Sequence, residues 1–129
     1  NGGRGKDNIF AGDGDDIINA GSGRDLVFGG DGDDIINTGG GSNNLAFGGR
    51  GADTFVFSND VTSDNRRDTT KIMDFDVSTD MLDLGDAEIA RIRESYHSTK
   101  ITLEGGDKIT LLGVRDADQI QLVDDLAIA

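Results

Sequence analysis

Residues 11–19 read AGDGDDIIN and residues 29–37 read GGDGDDIIN, near-copies separated by a third nonapeptide, AGSGRDLVF, at 20–28. Outward from these, GGRGKDNIF fills 2–10 and TGGGSNNLA fills 38–46. One extra residue, Phe47, then precedes GGRGADTFV at 48–56. On this nine-residue period the second and fourth positions are Gly in all six copies. The sixth is Asp7, Asp16, Asp25, Asp34, Asn43 and Asp53, and the eighth is Ile9, Ile18, Val27, Ile36, Leu45 and Phe55. Sixteen of the 20 Gly lie within residues 2–51, which places a composition boundary near residue 57. A Gly-rich linker carries no phase-locked apolar residue, so this is a structural repeat.

Each position has a physical reason. Gly at two fixed places permits positive φ and close backbone approach, giving a tight turn with exposed carbonyls. The closing apolar triplet is a very short strand with one side chain inward. Two repeats, 18 residues, make one coil, and coils stack about 4.8 Å apart. The expected fold is all-β: a right-handed parallel β-roll over 1–57 with a β-rich cap over 58–129. Stacking sets Asp7 beside Asp25, Asp16 beside Asp34, and Asp25 beside Asn43. Phe47 stretches the Asp34–Asp53 interval by one and calls for a bulge there. Carboxylates at coil spacing repel unless a cation lies between them. Carboxylate and carbonyl oxygens are the hard donors that Ca²⁺ takes in sets of six to eight, whereas Mg²⁺ favours compact octahedra. Zinc is disfavoured, since His97 is the sole His and Cys is absent.

The stretch resembles the hemolysin-type, or RTX, calcium-binding repeats over about 56 residues. The resemblance implies several Ca²⁺ ions, each between turns 18 residues apart. One turn supplies its second and fourth carbonyls and its Asp; the next supplies its first and third carbonyls and its Asp. Carried over, one ion uses Gly3, Gly5, Asp7, Ala20, Ser22 and Asp25. A second uses Gly12, Gly14, Asp16, Gly29, Asp31 and Asp34. A third uses Gly21, Gly23, Asp25, Thr38, Gly40 and Asn43, where Asn43 drops a charge but keeps an oxygen. A fourth uses Gly30, Gly32, Asp34, Gly48, Arg50 and Asp53.

Three-residue strands bury little apolar area, at roughly 1.5–3 kcal/mol per inward side chain. Ordering nine residues costs about 1–2 kcal/mol each, and most for Gly. The roll is therefore expected to be unfolded without calcium and to fold cooperatively with it.

Beyond the repeats, ADTFVFS continues the last coil as a strand, and 58–70 reads as a polar surface loop. Short strands are expected at about 71–75 and 81–84 around a turn at Ser78–Asp80, then a helical turn near 86–94. STKITLE and DKITLLGV flank Gly105–Gly106 as a hairpin, and 117–123 reads as a short helix or a final strand. Residues 52–84 are similar to the cap of RTX rolls in serralysin-type proteases and related exoproteins. Asp74, Asp80 and Asp83 hold a further ion or, more simply, cap turns. The tail from Asp125 to Ala129 resembles the end of type I-secreted proteins, or is a plain terminal strand.

The 129 residues carry 12 Lys and Arg against 25 Asp and Glu, a net charge of −13, which argues against nucleic-acid binding. No apolar run is long enough for membrane insertion. Neither H-E-x-x-H nor G-x-S-x-G occurs, so no enzyme site is expected. A chain opening at Asn1, on a repeat, reads as a piece of a longer protein. The resemblance implies a secreted, extracellular bacterial module, exported by type I secretion machinery, that serves an upstream effector domain in the same chain. An alternative is similarity to the R-modules of alginate epimerases. That implies binding of an anionic polysaccharide, with Arg66, Arg67, Arg91 and Arg93 meeting uronate carboxylates.

Overall fold

The structure, a computed structural model, describes residues 1–57 and 67–123. Each repeat contributes one strand and one turn. Strands β1 (Gly3–Gly5) and β4 (Gly21–Gly23) are stacked turn segments. β2 (Asn8–Asp13), β5 (Leu26–Asp31) and β7 (Asn44–Arg50) form one wall of the roll, and β3 (Ile17–Asn19), β6 (Ile35–Asn37) and β8 (Thr54–Val56) form the other. All pairing within these walls is parallel. Ile18, Ile36 and Phe55 face inward in one register row, opposite Val27 and Ala46. Alternate side chains point out, which leaves Ile17 74% exposed and lets Phe10, Phe28 and Phe47 stack with centroids 4.8 and 4.6 Å apart.

Both walls continue past residue 57. β9 (Thr69–Ile72) adds parallel to β7, and β13 (Lys108–Leu112) adds parallel to β9. β12 (Ser98–Leu103) and β11 (Ile89–Glu94) complete that seven-stranded sheet in antiparallel order. On the other wall β10 (Met81–Asp83) pairs with β8, and β14 (Gln121–Leu122) pairs with β10, giving five strands. The cap thus extends the roll's own core through Ile72, Leu82, Ile101, Ile109 and Leu111. That covers the coil end, whose open strand edges and apolar side chains otherwise face water.

Several expectations shift. Residues 89–94 form a strand, because pairing with β12 outweighs the local helical preference of the Ala, Arg and Glu there. The 117–123 segment is both a 3₁₀ turn, Ala117–Gln119, and a short strand. Most of the proposed loop at 58–70 and the tail from Asp125 lie outside the described residues. Among the described residues no helix is long and apolar enough to cross a membrane.

Phe47 is not the inserted residue. Ser22 still bridges Gly40 at an 18-residue step, but Leu26 pairs with Leu45 and Phe28 with Phe47 at 19. The extra residue therefore lies between Gly41 and Asn44. Asn43 there has φ 67°, a left-handed value that Asn tolerates better than most side chains. Asn44, not the exposed Asn43, takes the sixth-position place, and Ala46 rather than Leu45 points inward. Placing the insertion in the turn keeps Phe47 in register to stack on Phe28.

Candidate metal centre

The turns stack along two edges of the roll. On one edge Gly3 and Gly5 lie against Gly21 and Gly23, with Ser22 next to Gly40, and Ala20 and Thr38 buried at the turn entries. On the other, Gly12 aligns with Gly30 and Gly49, and Asp13 with Asp31 and Arg50. Gly14 and Gly32 approach one another, as do Gly29 and Gly48. Positive φ is needed here: Gly30 sits at φ 115° and a Cβ on it would run into the Gly12 carbonyl.

The sixth-position side chains form a ladder on each edge. The N–H of Asp7 donates to Asp25 Oδ1 at 3.0 Å, and that of Asp25 to Asn44 Oδ1 at 2.8 Å. Opposite, Asp16 N–H donates to Asp34 Oδ1 at 2.9 Å and Asp34 N–H to Asp53 Oδ1 at 3.0 Å. Oδ1 of Asp25, Asp34 and Asp53 is thereby used, while Oδ2 of Asp7, Asp16, Asp25, Asp34 and Asp53 is buried with no hydrogen-bond partner. An unpaired buried carboxylate oxygen is costly, and a cation is the usual remedy. These oxygens converge with turn carbonyls. A Cβ on Gly29 would meet both Asp34 Oδ2 and the Gly48 carbonyl, and one on Gly2 both Asp7 Oδ2 and the Ala20 carbonyl. Among the described residues no three His, Asp or Glu side chains gather into a cluster, so an ion must draw carbonyls into its shell. All-oxygen donors with spare negative charge fit Ca²⁺.

Asn44 breaks the pattern. Its Oδ1 is held by Asp25 N–H, so its second position carries Nδ2, which lies 3.4 Å from the Thr38 carbonyl as a donor. Unlike the aspartates, Asn44 leaves no unpartnered oxygen here: its Oδ1 accepts from Asp25 N–H and its other atom is a nitrogen donor.

Burial first, then neighbouring charge, shapes the carboxyls in the absence of an ion. Burial raises Asp25, with Asp7 adding repulsion against the lowering effect of the Asp7 N–H. Burial likewise raises Asp34, reinforced by Asp16, Asp15 and Asp33. Asp53 is pushed up to about 6 by burial, with Asp80, Asp34 and Asp74 adding repulsion. Asp80 is also raised by burial.

The three cap carboxylates divide by role. Asp74 accepts from the N–H groups of Gly48 and Gly49 at 2.9 and 3.0 Å, closing the last turn. Asp80 continues the ladder by accepting from Asp53 N–H at 3.0 Å and Asp76 N–H at 2.8 Å. Asp83 serves its own turn through Gly85 N–H. Repeat spacing does not reveal Asp80, because 27 residues separate it from Asp53.

Stacked glycine turns with a carboxylate ladder on each edge define a cation-binding parallel β-roll. Through residues 1–36, 10–45 and 38–60, the chain matches the RTX calcium-binding nonapeptide repeat, which implies Ca²⁺ binding at multiple sites. Among solved structures it is similar to extracellular lipase LipA from Serratia marcescens, at 22% identity and TM-score 0.52. That match covers 89% of this chain but 21% of the lipase, so the chain spans about a fifth of that protein, and the likeness is one of fold. A subunit of the mannuronan C5-epimerase of Azotobacter vinelandii also matches, at 21% identity and TM-score 0.35, over 88% of this chain and 80% of that one. A search of curated proteins gives no match.

Proposed function

We propose that the chain is a non-catalytic calcium module that folds outside the bacterial cell and supports the secretion and folding of an upstream effector domain. The observation that carries this reading is the row of buried Asp Oδ2 atoms with no partner in the protein. A chain that cannot close its turns without a cation stays extended where calcium is scarce and suits export through type I secretion machinery. It then compacts where calcium is abundant. The ions are held by the four sets carried over from the resemblance, with Asn44 standing where Asn43 was expected and offering no unpartnered oxygen. Residues 1–57 act as the calcium-dependent roll and 58–129 as its cap. Small-angle scattering during a calcium titration tests this: the radius of gyration should fall from about 37 Å towards about 14 Å. The midpoint should lie in the ~10⁻⁴–10⁻³ M range of extracellular calcium modules. A compact chain in chelator removes the reading.

A second reading, binding of an anionic polysaccharide, is favoured by one feature. On the outer face of the seven-stranded sheet, Arg93 lies opposite Lys100, Lys100 opposite Thr110, and Thr110 opposite Lys71. The adjacent row runs Arg91, Thr102, Lys108 and Thr69. Five exposed cations and no carboxylate occupy these two rows in a chain of net charge −13. Of the four arginines expected to meet uronate, Arg91 and Arg93 belong to this face, Arg67 is exposed beside Gly106 outside these rows, and Arg66 lies outside the described residues. Titrating uronate oligomers into the calcium-loaded chain tests it; no heat at millimolar ligand eliminates it.

A further inference from the structure

The two edges of the roll carry the same backbone and opposite charge. Besides the ladder residues, each turn presents side chains at its third and fifth positions. On the edge formed by the first, third and fifth repeats these include Arg4, Lys6 and Arg24, with no carboxylate among them. On the opposite edge they include Asp13, Asp15, Asp31 and Asp33, with Arg50 the single cation. All eight are exposed. The register holds them in place: Asp13 stacks on Asp31, and Arg4 on Ser22. Asp15 and Asp33 are further fixed because each accepts a hydrogen bond from the next coil, from Asp33 N–H at 2.7 Å and Ala52 N–H at 2.8 Å. Both carboxylates lie close enough to act on the buried Asp34.

The ladders differ in the same sense. The acidic edge has three unpartnered Oδ2 atoms, on Asp16, Asp34 and Asp53. The basic edge has two, on Asp7 and Asp25, and ends on the Asn44 amide.

We infer that the side chains at the third and fifth turn positions, outside the ligand set, divide the Ca²⁺ sites into two classes. A tight row lies along the Asp13/Asp31 edge and a weak row along the Arg4/Arg24 edge. This rests on the calcium reading above. Charge count around a Ca²⁺ site is a principal determinant of its affinity. A divalent ion doubles each unit-charge interaction, and exposed charges act through water and are screened by salt. The acidic row fills first and sets the register of the coils. The basic row fills afterwards, against its own arginines, and completes the roll only at higher calcium.

Isothermal titration of calcium into the full chain, at low salt and again near 1 M salt, tests the assignment. Two classes should resolve at low salt, about tenfold or more apart, and converge at high salt. The pair Asp15→Asn and Asp33→Asn keeps both Oδ1 acceptors and should weaken the tight class alone. Arg4→Ser with Lys6→Ser and Arg24→Ser should tighten the weak class alone. A single class in the parent chain, or either variant moving both classes equally, overturns the inference while leaving calcium binding intact. Absence of any calcium heat instead removes the underlying reading.

Discussion

Asp16 donates its backbone N–H to Asp34 Oδ1 at 2.9 Å, which fixes the Asp34 carboxylate and leaves its other oxygen buried without a partner. One side chain thus does two things. Its first oxygen replaces a backbone hydrogen bond that a tight turn cannot make internally, and its second stays buried as an unpaired hard donor of the kind Ca²⁺ takes.

Asp34→Asn separates these roles. The amide oxygen can still accept from Asp16 N–H, but a nitrogen replaces the free oxygen. Because Asp34 belongs to two ligand sets, the calcium midpoint of folding should rise at least about tenfold. The check is circular dichroism during a calcium titration. An unchanged midpoint contradicts the ladder as a set of ligands.

Asn44→Asp is the converse. It places a carboxylate oxygen where Nδ2 now sits near the Thr38 carbonyl. Isothermal titration should show the third set binding its ion about tenfold or more tightly than in the parent, with a lower folding midpoint. The same change at Asn43, exposed in the turn, should leave that site unchanged.

Gly30→Ala probes the turn itself. With φ at 115° and the Gly12 carbonyl in the way, the substitution should cost at least ~2 kcal/mol, read by urea denaturation in saturating calcium. Gly105→Ala, in the hairpin turn with open space around it, serves as the control and should cost far less.

Acid acts on the metal-free chain and scarcely on the loaded one. Asp53 rises to about 6 in the metal-free roll against about 3.9 in an unfolded chain. The folded form therefore holds that proton more tightly, and its contribution favours folding fully below the unfolded value and is lost as pH rises through about 6. Lowering the pH from 7 to 5 in chelator should increase the β signal. The calcium midpoint should hardly move over that interval, because the carboxylate is ionised in both the unfolded and the loaded forms. A β signal that grows with rising pH in chelator runs against the assignment.

The roll was readable because the second- and fourth-position glycines and the eighth-position apolar residues are phase-locked over six copies, and one period suffices to place Ile18, Ile36 and Phe55 in a single row. The extra residue was legible as a 19-residue interval, but its place was not. Asn43 and Asn44 are identical letters, and what distinguishes them is a left-handed φ and the stacking of Phe47 on Phe28, both products of coil contact. Likewise the donor role of the Asn44 amide depends on which neighbour claims its oxygen. The continuation through Asp80 and the cationic rows from Lys71 to Arg93 join segments far apart in the chain, so no local period announces them.

Far-UV circular dichroism after exhaustive chelation, followed by separate calcium and magnesium titrations, goes furthest towards deciding whether the ions hold the turns closed. A disordered spectrum that converts to β with calcium, and scarcely with magnesium, is the predicted result. A full β spectrum in chelator, unchanged by calcium, would contradict it.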